Sequence, residues 1–149
     1  MDVIRFQRKR LKFPEFDVVE VLINDTPLVE LVRRYELPLA TAEGRPQSAG
    51  DYGSLEASVA APPSRHFLGE PTYGSYRHGE RTQVLLCDAD YEPGCKPFVC
   101  RIDVLADHVV WSSFRQPGDP WSYDGFGPFE FDRVQYEKAL AALPSGPPW

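Results

Sequence analysis

Residues 98–114, Phe98-Val99-Cys100-Arg101-Ile102-Asp103-Val104-Leu105-Ala106-Asp107-His108-Val109-Val110-Trp111-Ser112-Ser113-Phe114, decide the fold. Two apolar runs flank Ala106-Asp107, and a two-residue turn there sets Val104 opposite Val109 and Ile102 opposite Trp111. In that register Phe98, Cys100, Ile102, Val104, Val109 and Trp111 share one face, while Arg101, Asp103 and Ser112 fall on the other. Such alternation is what a half-buried antiparallel hairpin requires. Gln83 to Cys87 reads as a further strand, so 83–115 is predicted to form a meander.

Working outward, Val18 to Ile23 reads as a strand with Val19, Val21 and Ile23 on one face, followed by an Asn24-Asp25 turn. A helix is predicted next. Thr26 is its expected cap and Pro27 its first residue, with Leu28, Leu31, Val32 and Tyr35 at helical spacing and Pro38 as its end. A second helix is predicted from Arg133 to about Leu143. Asp132 and Gln135 resemble a capping box there, Phe131 and Tyr136 a hydrophobic staple, and Tyr136, Ala139, Leu140 and Leu143 the buried stripe. Pro144 stops it, and 144–149 reads as a tail. Between them, 40–82 carries ten Gly and Pro residues at short intervals from Gly44 to Gly79. It is expected to be long, irregular, and either functional or mobile. Leu55 to Ala60 is read as a short strand or a turn of helix. The expectation is one α+β domain over 1–149, an antiparallel meander with helices packed on the sheet.

Composition narrows the function classes. The chain has 149 residues and a formal net charge of −6, which argues against a nucleic-acid groove. Residues 1–12 hold five bases (Arg5, Arg8, Lys9, Arg10, Lys12) against Asp2, a net of +4. They read as a charge-protected edge strand, with a phosphate-binding arm as the lesser reading. From Val84 to Asp132 nine acids stand against three bases, a net of −6. No apolar run reaches membrane-spanning length. Met1-Asp2-Val3-Ile4-Arg5 lacks the apolar core of a signal peptide, and three cysteines form an odd set, so a cytoplasmic protein is expected.

The runs Val84-Leu85-Leu86-Cys87 and Glu92-Pro93-Gly94-Cys95, then Val110-Trp111-Ser112 and Gly127-Pro128-Phe129-Glu130-Phe131-Asp132 with Tyr136, resemble a family of small uncharacterised bacterial proteins. Weaker echoes lie in the first helix and in His66-Phe67-Leu68-Gly69. A second cysteine often follows the first by two residues in that family, where this chain has Ala89. The resemblance implies a bacterial cytosolic origin and supplies no activity.

Candidate sites follow from residue type. Cys87, Cys95 and Cys100 are the only thiols, but their spacing lacks the tight knuckle that zinc favours, so a small zinc protein is an alternative and no cofactor is expected. His78-Gly79-Glu80 with Pro93-Gly94-Cys95 departs from the zinc-deaminase signature by an intervening glycine and a wider cysteine spacing. Asp88, Asp90, Glu92 and Gly94 alternate like a calcium loop, yet the glycine comes one place late and Val99 stands where the closing glutamate belongs. His66, with Asp51 or Ser64, is a weak catalytic candidate in a cleft lined by acids of 40–82.

The most unusual stretch is Trp111 to Phe131. Trp111, Phe114, Trp121, Tyr123, Phe126, Phe129 and Phe131 are interleaved there with acids and with Pro117, Pro120 and Pro128. It reads either as a lid closing the core or as an exposed platform. On the second reading Trp121 and Tyr123 are at least partly exposed and centre a partner-binding surface, with Asp119 and Asp124 at its rim. A basic protein partner is then expected, as in an immunity or antitoxin-like protein, and no nucleic acid or membrane.

Overall fold

The computed structural model describes residues 1–12, 15–87 and 97–144. The elements in order are β1 (Ile4–Arg10), β2 (Asp17–Ile23), β3 (Thr26–Pro27), α1 (Leu28–Ala42), β4 (Tyr52–Gly53), β5 (Leu55–Glu56), α2 (Ala57–Ala60), β6 (Arg77–His78), β7 (Arg81–Cys87), β8 (Phe98–Val104), β9 (His108–Arg115), β10 (Phe129–Asp132) and α3 (Arg133–Ala141). They form an α+β fold with two antiparallel sheets, one running β1-β2-β3 with β5 on β2, the other β10-β9-β8-β7-β4 with β6 on β7.

The hairpin has the register read from the sequence, with Ile102 opposite Trp111 and Val104 opposite Val109. Phe98, Cys100, Val109 and Trp111 are buried, whereas Ile102 and Val104 near the turn are partly covered. A bulge between Val99 and Arg101 interrupts the ladder. Among the described residues β1 is an edge strand paired only with β2. Ile4 and Phe6 point inward between exposed Arg5 and Gln7. Of its bases, Arg8 lies 2.7 Å from Asp17 and Arg10 3.3 Å from the same carboxylate. Hydrogen bonds from these two guanidiniums hold Asp17 below the usual carboxylate range.

Two local expectations give way. Asn24 and Asp25 both have positive φ, the geometry of a tight hairpin turn between β2 and β3. Thr26 therefore enters a strand, and α1 begins after Pro27 without a side-chain cap. Nor does Pro38 end α1; it lies inside a helix that reaches Ala42. Proline removes one backbone donor, but Ala40 beyond it is fully buried and its carbonyl accepts from the amides of Glu43 and Arg45. Packing and these bonds carry the helix past the proline.

The 40–82 segment is ordered by the core it fills. Tyr52-Gly53 pairs with Leu86 and Cys87 of one sheet, and Leu55-Glu56 pairs with Val18 and Val19 of the other. One short stretch thus joins both sheets, and Tyr52, Leu55, Phe67 and Tyr76 are buried behind it.

At the far end, the Asp132 carboxylate accepts from the Gln135 amide at 2.9 Å and caps α3. The reciprocal arm of the capping box is absent, because the Gln135 side chain bonds both backbone groups of Ile4. Phe131 and Tyr136 meet with ring centroids 5.6 Å apart. Tyr136 is fully buried; its hydroxyl accepts from Trp111 Nε1 at 3.0 Å and donates to the Phe67 carbonyl. Asp2, bonded to both backbone groups of Glu130, fastens the chain's start beside β10. No helix of the described residues is long and apolar enough to cross a membrane.

Candidate functional site: the aromatic loop and its cleft

Between β9 and β10, Pro117, Gly118, Pro120 and Gly125 keep residues 116–128 out of the ladder, so side-chain contacts set the loop's course. Most of these contacts come from α1 and the turn after it. Tyr35 donates its hydroxyl to the Ser122 carbonyl at 2.8 Å, and its ring stacks on Tyr123 at 5.5 Å. Two turns further along, at the end of α1, Glu43 accepts from Trp121 Nε1 at 2.7 Å. Arg45 lies 3.1 Å from Asp119 and 2.7 Å from Glu43, and its guanidinium sits 5.0 Å over the Trp121 ring. Bonds from Trp121 and Arg45 hold Glu43 below its usual pKa.

The centre of this attachment is Glu36, which is fully buried. One oxygen accepts from the Gly50 amide at 2.8 Å. The other accepts from the hydroxyls of Tyr52 at 2.7 Å and Tyr123 at 2.5 Å. Burial, with Glu36 adjacent, raises both phenol pKa values, so both hydroxyls stay protonated and donate. Gly50 is required at its position: its φ is +67°, and a Cβ there would meet Arg33 Cβ at 2.4 Å. Only glycine lets the backbone approach α1 closely enough to donate.

These contacts correct part of the expected surface. Tyr123 is 4% exposed, because its phenol finds an acceptor inside. Trp121 is half-buried with its indole nitrogen bonded to Glu43. Asp119, its side chain 9% exposed, pairs with Arg45 and does not stand at an open rim. Asp124 is exposed as expected.

Alongside these residues opens a cleft of about 380 Å3. Phe114, Tyr123 and Phe126 form its floor, and Arg81, Arg115, Trp121 and Asp124 stand around it. The Phe114 and Phe126 rings meet edge to face at 4.9 Å. Ser113, also lining the cleft, has φ +53°, rare for a residue with a side chain, and its carbonyl accepts from Arg81 Nε at 2.7 Å. Gly127 closes the wall with φ +74°; a Cβ there would meet the Phe114 ring at 2.9 Å.

The other candidates are internal. His66 is fully buried, its Nε2 2.6 Å from the Gln83 carbonyl and its ring edge-on to Phe67 and Tyr76. Burial pushes its pKa down, so the ring is neutral and Nε2 is the donor. Ser64 Oγ accepts from the His66 amide rather than from its ring. The cleft beside the aromatic loop, the one of about 350 Å3 between β1 and α3, and the one of about 270 Å3 beside Pro62 and Pro63 are lined by other residues. Among the described residues His66 thus stands in the core and not on these three clefts. Cys100 is fully buried in the core that also holds Phe98 and Trp111, and burial pushes its thiol pKa far up; a thiolate ligand is disfavoured there. The Cys87 side chain, Cys95 and the 88–94 acidic loop lie outside the described residues.

Sequence reading missed Glu36 as a site residue. A signal for it exists: Leu28, Val32, Glu36 and Ala40 form one row at fourfold spacing and are the buried residues of α1. A carboxylate in an apolar row needs internal donors. Comparison of the chain with family models, curated proteins and solved structures returns no match.

Proposed function

We propose that the protein is a non-catalytic binding domain that holds a protein partner on the face built by the aromatic loop, with Trp121, Asp124 and the adjoining cleft at its centre. One observation carries the reading. The loop is fixed from beneath to α1 by Tyr35 and Glu36 and to the turn after α1 by Glu43 and Arg45, while Ser122, Asp124 and the cleft face solvent. A surface ordered before contact loses less freedom on binding, and a half-buried tryptophan beside a concave wall is a common anchor of interfaces.

The enzyme alternative has less support, since Glu36 and His66 are enclosed and engaged in internal bonds. The net charge of −6 favours a basic partner at long range and disfavours nucleic acid. An immunity or antitoxin-like role, masking a basic toxin in the cytoplasm, is the form of the reading that charge suits best. The test is co-purification from the cells that encode the chain. Trp121→Ala and Asp124→Lys should each deplete one partner protein that wild type and Lys9→Glu retain in equal amount. Equal recovery with all four forms overturns the proposal.

A further inference from the structure

The cleft carries an unbalanced set of charges. In a chain of net −6, Arg81 and Arg115 both line it, and Asp124 is its single carboxylate among the described residues. Arg81 is oriented by the backbone: Nε donates to the Ser113 carbonyl, and its terminal nitrogens have no hydrogen-bond partner among the described residues. Arg115 is exposed and has neither hydrogen bond nor ion pair among those residues. Elsewhere most arginines have an acid within 4 Å: Arg8 with Asp17, Arg33 and Arg34 with Glu30, Arg45 with Asp119, Arg65 with Glu70.

A guanidinium whose Nε is already engaged presents its outer edge as a fixed fork, a geometry suited to two-point recognition of a carboxylate or phosphate. The positive φ of Ser113 belongs to this arrangement, because that residue supplies the carbonyl holding Arg81. Phe114, Tyr123 and Phe126 lie buried behind the cleft, and this aromatic backing lowers the local dielectric for an ion contact at its mouth.

We infer that the cleft is an anion-recognition site, in which Arg81 and Arg115 together take one carboxylate or phosphate group of the bound molecule and Asp124 repels a second. The inference rests on the cleft being the contact site proposed above and adds the chemistry of what enters it. A basic partner steered by net charge would insert one acidic group here.

The test is an NMR titration of the full chain with sodium acetate and, separately, inorganic phosphate, with ionic strength held constant by sodium chloride. Saturable shifts are expected at the amides of Ser113, Arg115, Ser122 and Asp124. Arg115→Gln should raise the half-saturation concentration at least about tenfold, the loss expected when a charge-assisted hydrogen bond is removed. Arg81→Gln should do the same, and Asp124→Asn should lower it. Arg115 lacks described partners, so its variant keeps the test valid if Arg81→Gln perturbs folding. Tighter acetate identifies a carboxylate-bearing occupant and tighter phosphate a phosphorylated one; both support the site. Non-saturating shifts, or half-saturation unchanged by Arg115→Gln, overturn it. That failure leaves the co-purification result standing, so the two readings are judged separately.

Discussion

The hydroxyl of Tyr123 donates to the buried carboxylate of Glu36 at 2.5 Å, across 87 residues of sequence. This bond joins the loop between β9 and β10 to the first helix. It makes the buried carboxylate a joint beneath the cleft, because Tyr123 also lines that cleft.

Removing that joint from each side should have unequal effects. Tyr123→Phe deletes one donor while Tyr52 and Gly50 still serve the carboxylate, so a loss of about 1–2 kcal/mol is expected in urea unfolding. Glu36→Ala strands two phenols and an amide in the interior and should cost about 3 kcal/mol or more. In the double variant the two losses should fall short of additivity, since they share one bond.

High pH should expose the buried phenols. Burial raises the pKa of Tyr52, Tyr123 and Tyr136, so the native state keeps protons that the unfolded chain releases above pH ~10. Their contribution is complete below that pH. It declines as pH climbs toward the native pKa values, at up to about 1.4 kcal/mol per pH unit for each phenol. Absorbance at 295 nm should show these tyrosines ionising only with loss of near-ultraviolet circular dichroism. Reversible ionisation of all seven tyrosines in the folded protein would contradict the burial.

The two acids of the loop should separate cleanly. Asp124 is exposed and Asp119 is paired with Arg45. Asp124→Asn should slow partner association at low salt and have little effect at high salt, with stability unchanged within about 0.5 kcal/mol. Asp119→Ala should instead loosen the loop, seen as faster amide hydrogen exchange at residues 117–123.

Ile102→Ala probes the hairpin. The residue is on the core face but only partly covered near the turn, so about 1–2 kcal/mol is expected, below the 2–5 kcal/mol usual for a fully enclosed site. Asp132→Ala should cost about 1 kcal/mol through the lost cap of α3. Equilibrium denaturation measures both.

The hairpin was legible because period-two alternation and a two-residue turn leave one register for Ile102 and Trp111. The Asp132 cap was legible because it acts within one turn of chain. Long-range partners were not. Gln135 shows no sequence sign of its bonds to Ile4, and a two-residue strand such as Tyr52-Gly53 has no period to read. Tyr123 lies in a segment broken by Pro and Gly, where local pattern says nothing of burial. Its position is decided by an acceptor on α1, and Glu36 could have been suspected only from its place between Val32 and Ala40.

Site-specific photo-crosslinking in the cells that encode the chain is the most direct measurement, with a photoreactive residue at Ser122, exposed and lining the cleft, or at Lys9 on β1. One discrete crosslinked protein is expected from Ser122, lost on adding Asp124→Lys, and none from Lys9. Adducts of equal yield from both positions, or none from Ser122, would overturn the binding face.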